Sequence, residues 1–184
     1  MQLNERGTLI GYIGRLSVEK GILNLMGAIP NVVTKTNGIR FLIGGDGPLR
    51  GEVEEYLHKY NLNDKIEFVG WVPHENLSRY LNCLKLIVIP SYTETGPLIM
   101  FEAMSCGTPV LVTPVGLAPD VIKDGETGFI MENNSPECIA RNIIRALNHP
   151  NLKEITKNAR ALVEREFTYE KAVERYRNIL VSLA

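Results

Sequence analysis

Hydrophobic residues in this sequence follow two alternating patterns: short, almost continuously apolar runs, and longer stretches in which apolar residues recur every three or four positions. The short runs predict strands at Thr8–Ile13, Ile39–Ile43, Ile66–Val69, Leu86–Pro90, Pro109–Thr113 and Gly128–Met131. The longer stretches predict helices at Lys20–Thr36, Leu49–Tyr60, Glu75–Cys83, Pro97–Cys106, Ser135–Asn148, Leu152–Glu166 and Thr168–Leu183. Strands that alternate with helices are typical of βαβ units, and doubly apolar strands suit a sheet covered on both faces. The sequence therefore predicts one α/β domain over residues 1–184, with a doubly wound, Rossmann-like parallel sheet.

Length and charge support a soluble globular domain with no overall attraction for polyanions. The chain has 184 residues, of which 45% are hydrophobic, enough for a sizeable core without disulfides or metal. Its 20 basic and 21 acidic residues give a net charge of -1. A balance this even argues against nucleic acid as a partner, so any anion-binding site has to be local.

The cysteines and the apolar runs bear on location. Cys83, Cys106 and Cys138 lie far apart and form no metal or disulfide motif, which favours a reducing compartment. The longest apolar runs are too short to span a bilayer, and the first eight residues lack the apolar core of a signal peptide. We therefore expect a cytoplasmic location and no transmembrane segment.

In doubly wound sheets, ligands bind outside the carboxyl ends of the strands, so the loops after the strands are the candidate site. Glycine recurs in these loops and lets a ligand approach the backbone closely. They read GRLSVEKG (14–21), GGDGP (44–48), GWV (70–72), SYTETGPLIMFE (91–102) and PVGLAPD (114–120).

The first loop carries two cations, Arg15 and Lys20. A guanidinium can contact phosphate oxygens in a bidentate manner, and an ammonium acts as a compact point charge. Together they could hold a pyrophosphate without a metal ion. The plain alternative is that Arg15 pairs with a carboxylate and that Lys20 is solvated.

Two carboxylates flank the start of a predicted helix. The segment Thr95-Gly96-Pro97 opens that helix, and a helix N-terminus offers free N–H groups and a positive dipole end to an anion. Glu94 precedes it, and Glu102 would be the sixth helical residue, about 7.5 Å along the axis. Helical side chains lean toward the N-terminus, so Glu102 is expected to reach back to the loop. Carboxylates are good acceptors for sugar hydroxyls, so such a pocket suits a nucleotide sugar; the plain alternative is that the dipole merely favours Glu102.

Taken in order, GRLSVEKG, GGDGP, FVGWV and PSYTETGPLIMFEAMSCGTPVLVTPVG resemble the C-terminal, donor-binding half of GT-B glycosyltransferases. The sequence is most similar to the retaining glycosyltransferase family 4, whose hallmark is two glutamates separated by seven residues, here Glu94 and Glu102. The resemblance implies that Arg15 and Lys20 stabilise the donor diphosphate, that Glu102 binds the ribose, and that Glu94 faces the transferred sugar. It implies that the other donor contacts lie at Gly14, Gly45, Gly70, Trp71, Val72, Gly96, Pro97, Leu98 and Ile99.

The same resemblance implies a hexosyltransferase that works without a divalent metal or another cofactor and uses a UDP-, GDP- or ADP-sugar as its donor. Its acceptor would bind to an N-terminal domain, which we expect to be missing from this chain or to reside on a partner, so the chain alone should be inactive. Peripheral membrane association of the intact enzyme stays open. The sequence departs from the family at Gly96 and Pro97, where an aromatic residue and then glycine are frequent.

The residues leave other functions open: a non-catalytic nucleotide-binding or partner subunit, or a sugar-nucleotide epimerase-like domain. The base, the sugar and the acceptor are also undetermined by the sequence. The three histidines, His58, His74 and His149, are interpreted as surface residues, and a lone Trp71 after a strand is more often part of a core. The apolar face of the last helix is interpreted as capping this domain, and in the intact enzyme it could also contact the other half.

Overall fold

The computed structural model describes residues 8–182. Its strands are β1 (Thr8–Ile13), β2 (Ile39–Gly44), β3 (Ile66–Gly70), β4 (Leu86–Ile89), β5 (Val110–Val112) and β6 (Phe129–Ile130). Its helices are α1 (Ile22–Lys35), α2 (Arg50–Lys59), α3 (His74–Leu81), α4 (Leu98–Ser105), α5 (Ala118–Val121), α6 (Pro136–Leu147), α7 (Leu152–Glu166) and α8 (Tyr169–Ser182), and a short 3-10 turn covers Val18–Lys20.

The six strands form one parallel sheet in the order β3-β2-β1-β4-β5-β6. This arrangement confirms the predicted doubly wound, Rossmann-like α/β fold. The chain winds outward from β1 in one direction through β3, then returns to place β4 on the other side of β1. The reversal between β1 and β4 is the switch point at which such sheets open a ligand crevice.

Each face of the sheet is buried beneath a layer of helices. In β4, Leu86 and Val88 join the apolar cluster beneath α1, α2 and α6, whereas Ile87 and Ile89 join the cluster beneath α3 and α4. The residues of β4 and β5 are buried throughout, which explains why these strands read as continuous apolar runs. The core thus fixes the strands, and their carboxyl ends present the loops that carry the candidate site.

Several helix starts differ by one or two residues from the prediction, and those of α1 and α4 affect predicted site residues. Helix α1 begins at Ile22 because Gly21 takes a left-handed conformation, φ 68°, which separates it from the turn that contains Lys20. Helix α4 begins at Leu98, since Pro97 has extended dihedral angles, φ -70° and ψ 96°, and serves as the N-cap. Glu102 is therefore the fifth helical residue, not the sixth.

Other differences lie at the C-terminal half of the chain. The short helix α5 was not predicted, because its four residues are too few to show helical periodicity. The predicted N-cap of α6 is confirmed: Ser135 accepts a hydrogen bond from the N–H of Cys138, and Pro136 is the first helical residue. Every residue of α8 is exposed, so the interpretation that this helix caps the domain is wrong. None of the described helices combines the length and the apolar character that crossing a membrane requires.

Candidate functional site

The loops after β1 and β4 meet directly above the switch point of the sheet. The backbone N–H of Tyr92 donates to the carbonyl of Glu19 at 2.8 Å. Gly21 lies against the carbonyl of Pro90 so closely that a Cβ atom at this position would overlap the carbonyl oxygen. This contact and the positive φ of Gly21 explain the glycine there, and they bring together the two loops that carry the predicted cation and carboxylate.

Lys20 and Glu94 form an ion pair at this junction. The Lys20 Nζ lies 2.7 Å from the Glu94 Oε1, and the Ser91 hydroxyl donates to the same oxygen at 2.8 Å. The Glu94 side chain is only 10% exposed and that of Lys20 is 30% exposed. The interpretation of Lys20 as a solvated lysine is therefore wrong. The charge-assisted hydrogen bond holds the two side chains in a fixed mutual orientation.

The segment Gly14–Arg15 is held from below by Tyr12. The Tyr12 hydroxyl donates to the Arg15 carbonyl at 2.6 Å. Burial, reinforced by the negative charges of Glu94 and Glu19, raises the pKa of Tyr12 well above its ordinary value. The phenol therefore stays protonated and remains a donor over the whole physiological range, which fixes the backbone of the first loop.

A first cavity, of about 290 Å³, lies between this ion pair and the start of α4. Its lining residues are Tyr12, Ile13, Gly14, Lys20, Val88, Ile89, Ser91, Glu94, Gly96, Pro97, Leu98 and Ile99. Among residues 8–182, no side chain caps the N-terminus of α4. The backbone N–H of Met100 donates to the carbonyl of Pro97 at 2.9 Å. The N–H groups of Leu98 and Ile99 therefore face this end of the helix, where its dipole is positive.

A second, larger cavity of about 550 Å³ adjoins the first and shares Ile13, Gly14 and Leu98 with it. Its lining residues are Ile13, Gly14, Arg15, Gly45, Asp46, Gly47, Trp71, Val72, His74, Leu77, Leu98 and Glu102. The Trp71 side chain is 72% exposed at its rim, so the interpretation of Trp71 as a core residue is wrong. This cavity combines one cation, carboxylates and a flat aromatic surface.

Glu102 has a partner that the sequence did not reveal. The His74 Nε2 lies 3.1 Å from the Glu102 Oε1. His74 is a surface residue, as predicted, because its side chain is 86% exposed. It is nonetheless the first residue of α3 and reaches across to α4, so it belongs to the lining of the second cavity.

The glycines of the site act in different ways. Gly45 has φ 141°, and a Cβ there would overlap the carbonyl oxygen of Gly14, so this glycine allows the loops after β1 and β2 to pack against each other. Its N–H donates to the carbonyl of Gly70 at 2.7 Å. Gly70 itself does not line either cavity, whereas the neighbouring Trp71 and Val72 do. A Cβ at Gly96 would approach Leu117 Cδ1 at 3.2 Å, so a side chain at this position would crowd the N-terminus of α4.

The geometry therefore brings together twelve of the thirteen predicted site residues, all but Gly70, around two adjoining cavities. Sequence reasoning missed Tyr12, Ser91 and His74. Ser91 could have been predicted, since it directly follows a strand and lies three residues before the predicted carboxylate. Tyr12 and His74 could not, because their hydrogen bonds to site residues form only in the folded chain.

A third cavity, of about 490 Å³, lies between the loop that follows α5 and helices α7 and α8. It shares no lining residue with the other two cavities. Its charged groups are of both signs and include Lys123, Glu126, Arg165, Glu166 and Arg175. This third cavity is therefore an alternative place at which a ligand could bind, away from the switch point.

Comparison with known families assigns the chain. The family described as "Glycosyl transferases group 1" matches residues 1–162, so the chain belongs to this glycosyltransferase family. Alpha-D-kanosaminyltransferase from Streptomyces kanamyceticus is 27% identical over 165 residues, which cover 89% of this chain and 43% of that protein. N-acetyl-alpha-D-glucosaminyl L-malate synthase from Bacillus anthracis is 28% identical over 178 residues, covering 96% of this chain and 46% of that protein. The chain thus spans less than half the length of these relatives.

Solved structures of GT-B glycosyltransferases share the fold. A mutant of TarM from S. aureus, crystallised with fondaparinux, alpha-GlcNAc-glycerol and UDP, matches with a TM-score of 0.84 and 26% identity over 95% of this chain and 36% of that one. HepE from Anabaena, crystallised with UDP and glucose, matches with a TM-score of 0.86 and 21% identity over 96% of this chain and 49% of that one. The C-terminal domain of a glycosyl transferase group 1 protein (LpcC) from Francisella tularensis matches with a TM-score of 0.80 and 24% identity over 89% of this chain and 88% of that one.

Proposed function

We propose that this chain is the donor-binding domain of a retaining glycosyltransferase of family 4, which transfers a hexosyl group from a nucleoside diphosphate sugar. The observation that carries the proposal is the Lys20–Glu94 ion pair at the open N-terminus of α4, beside a second cavity that contains Arg15, Trp71 and Glu102. A nucleotide sugar needs those features in that order: a polar group for the sugar, cations for the diphosphate, and a carboxylate and flat surface for the nucleoside.

The diphosphate lies, in this proposal, between Lys20, Arg15 and the start of α4. The Lys20 ammonium has three N–H groups. Among the described residues, one of them donates to Glu94, so two remain to donate to phosphate oxygens. Because Pro97 has no N–H, the helix contributes the amides of Leu98 and Ile99. When the bond between the sugar and the diphosphate breaks, negative charge grows on the leaving oxygen, and these donors stabilise it without a metal ion or another cofactor.

The nucleoside occupies the larger cavity. The Glu102 carboxylate accepts hydrogen bonds from the ribose hydroxyls, and the base lies against Trp71 and the backbone of Val72. Among the described residues, the bond recorded for Glu102 uses Oε1, through His74, which leaves Oε2 for a hydroxyl. UDP in structures of similar fold makes UDP the first nucleotide to test, with GDP and ADP beside it.

The transferred sugar lies over the first cavity, with Glu94 facing it. Lys20 and Ser91 both bind the Oε1 atom of Glu94, so its position is set before any ligand arrives. A carboxylate held in place near the reacting carbon can stabilise the positive charge that develops there. The configuration of the sugar is retained in this proposal, as in the family that the sequence resembles.

The acceptor binds to a further domain or a partner chain. The relatives are more than twice as long as the segment that matches, and the apolar face of α8 is exposed at Val173, Tyr176, Ile179 and Leu180. We propose that this face contacts the other half of the enzyme in a cytoplasmic, two-domain glycosyltransferase. The chain alone then binds the donor but transfers sugar poorly, because transfer needs an acceptor held at attack distance.

Thermal unfolding of the purified chain with millimolar UDP, GDP or ADP tests the donor site. A nucleotide present at about 100 times its Kd stabilises the native state by about 2.7 kcal/mol, a shift in Tm that is easily read. The double variant Arg15→Gln/Lys20→Gln should lose this shift. The matched control is Arg160→Gln/Lys157→Gln, which removes the same charge from exposed positions of α7.

The outcome is decisive in either direction. A shift that one nucleotide produces in the wild type and in the control, but not in the double variant, supports the proposal. An equal shift in both double variants contradicts the assignment of Arg15 and Lys20.

A further inference from the structure

The side-chain amide of Asn24 links two loops of the site. Asn24 is the third residue of α1, and its Nδ2 donates to the Tyr92 hydroxyl at 2.8 Å and to the Asn134 carbonyl at 2.7 Å. An amide NH₂ has two hydrogens, so both are used. The partners lie 68 and 110 residues away in sequence, and therefore only the folded chain creates these contacts.

A second set of bonds closes the same assembly. The Asn134 Nδ2 donates to the carbonyl of Pro90 at 3.2 Å, and the Tyr92 N–H donates to the carbonyl of Glu19 at 2.8 Å. The loop after β6 is thereby tied to the end of β4, and the loop after β4 is tied to the turn before α1. Three loops that leave different strands become one unit.

This unit surrounds the Lys20–Glu94 ion pair without joining it. Asn24 comes four residues after Lys20, and Tyr92 comes two residues before Glu94. Asn24 lies outside the residues that line the two cavities, so it is not placed to touch a ligand. Its bonds instead fix how far the start of α1 stands from the loop that carries Glu94.

We propose that Asn24 is a positioning residue, which holds the Lys20 ammonium against Glu94 through its bonds to Tyr92 and Asn134. The inference rests on the proposed function only for its consequence in nucleotide binding; the effect on Lys20 itself is independent of any ligand. Removing the Asn24 amide leaves only the Tyr92–Glu19 and Asn134–Pro90 bonds to hold the loops together, so Lys20 then spends more time away from Glu94.

The test is competitive acetylation of the lysines with a trace of acetic anhydride, read for each lysine by mass spectrometry. An ammonium held in an ion pair reacts more slowly than a free one. In Asn24→Ala, the acetylation rate of Lys20 relative to Lys157 and Lys171 should rise about fivefold, because two hydrogen bonds are lost and each contributes a factor of about two, the lower end of the usual range. Alanine favours the helix more than asparagine does, so α1 itself is not weakened.

Two further variants separate positioning from general stability. Tyr92→Phe removes one of the two bonds and should raise the Lys20 rate by a smaller factor, about twofold. The matched control is Asn82→Ala, which deletes an amide bond to the Ser78 carbonyl (2.7 Å) at the end of α3 and should leave the Lys20 rate unchanged. Unchanged Lys20 labelling in both Asn24→Ala and Tyr92→Phe, or an equal rise at every lysine, overturns the proposal.

The affinity for UDP, GDP and ADP is measured on the same variants. If the wild type binds one of them, Asn24→Ala should bind it several-fold more weakly, and Asn82→Ala should match the wild type. If the wild type binds none, the proposed function fails, while the labelling result still decides the role of Asn24.

Discussion

The side chains that line the two adjoining cavities differ in burial and in how many bonds hold them in place. In the smaller one, Lys20 and Glu94 are mostly buried, and each is fixed by a charged or hydroxyl partner. In the larger one, Trp71 and His74 stand in solvent at the rim, and Glu102 has one exposed partner. The backbone beneath them, however, is tightly packed at Gly45.

This difference separates two tasks that one ligand would impose. Charge stabilisation at a reacting bond requires groups that are oriented in advance, since reorienting them during the reaction costs free energy. Recognition of a nucleoside tolerates exposed side chains that settle onto the ligand, provided that the loops carrying them are fixed. Substitutions in the shared backbone, in the smaller cavity and in the larger cavity test this division, and their expected effects decrease in that order.

The largest effect should come from the backbone that the cavities share. Gly45→Ala places a Cβ against the carbonyl oxygen of Gly14 at φ 141°, so we expect the free energy of unfolding to fall by about 3 kcal/mol or more. In Gly70→Ala, φ is 65° and the added Cβ lies in open space, so the free energy of unfolding should fall by only about 1 kcal/mol. Urea unfolding of both variants checks this; equal losses would show that the close approach at Gly45 does not matter.

The next effect concerns the smaller cavity. Lys20→Gln should weaken UDP binding about 30-fold, because a hydrogen bond to a charged group contributes about 2 kcal/mol. Titration calorimetry measures it, with Lys157→Gln as the control for loss of a surface charge. Binding of inorganic pyrophosphate should weaken by a similar factor, since it carries the same group; a loss confined to UDP would place Lys20 near the nucleoside instead.

The larger cavity should show the opposite selectivity. Trp71→Ala should weaken UDP binding about tenfold through loss of stacking, yet leave pyrophosphate binding unchanged. Stability should change by less than about 0.5 kcal/mol, because the side chain is exposed. The same pair of calorimetric titrations checks this. Equal losses for UDP and pyrophosphate would mean that the two cavities do not divide the ligand as described.

The smallest expected effect is a pH-dependent change in stability at Glu132, which lies outside both cavities. The Cys138 thiol, the backbone N–H of Glu132 itself and the Asn142 amide lower the pKa of Glu132 to about 2. A lowered carboxyl pKa contributes stability above about pH 4.5, and this contribution is lost as the pH falls from there toward about 2. Glu132→Gln should therefore have a slightly lower Tm than the wild type at pH 6. The two Tm values should converge as the pH falls toward 2 in scanning calorimetry, and a constant difference would contradict this.

The sequence was sufficient to predict the sheet and the edge of the sheet at which the candidate residues meet. Continuous apolar runs marked strands buried on both faces, and the loops after them necessarily share one edge of a parallel sheet. Their positions around the start of a predicted helix made Glu94 and Glu102 candidates, and the family resemblance then implied a role for each of them.

What could not be predicted depends on contacts distant in sequence. Lys20 and Glu94 are 74 residues apart, and the His74–Glu102 pair joins the first residue of α3 to the fifth residue of α4. The start of α4 was misplaced because Pro97 suits both the N-cap and the first helical position, and only its ψ of 96° distinguishes them. Similarly, the exposure of Trp71 follows from the turn after β3, which apolar character alone does not reveal.

A crystal structure of the chain with UDP tests the central claim most directly. The account predicts the diphosphate between Lys20 and the N–H groups of Leu98 and Ile99, the ribose hydroxyls at Glu102, and the uracil against Trp71. Density for the nucleotide in the third cavity, or for the diphosphate away from Lys20, would contradict the account.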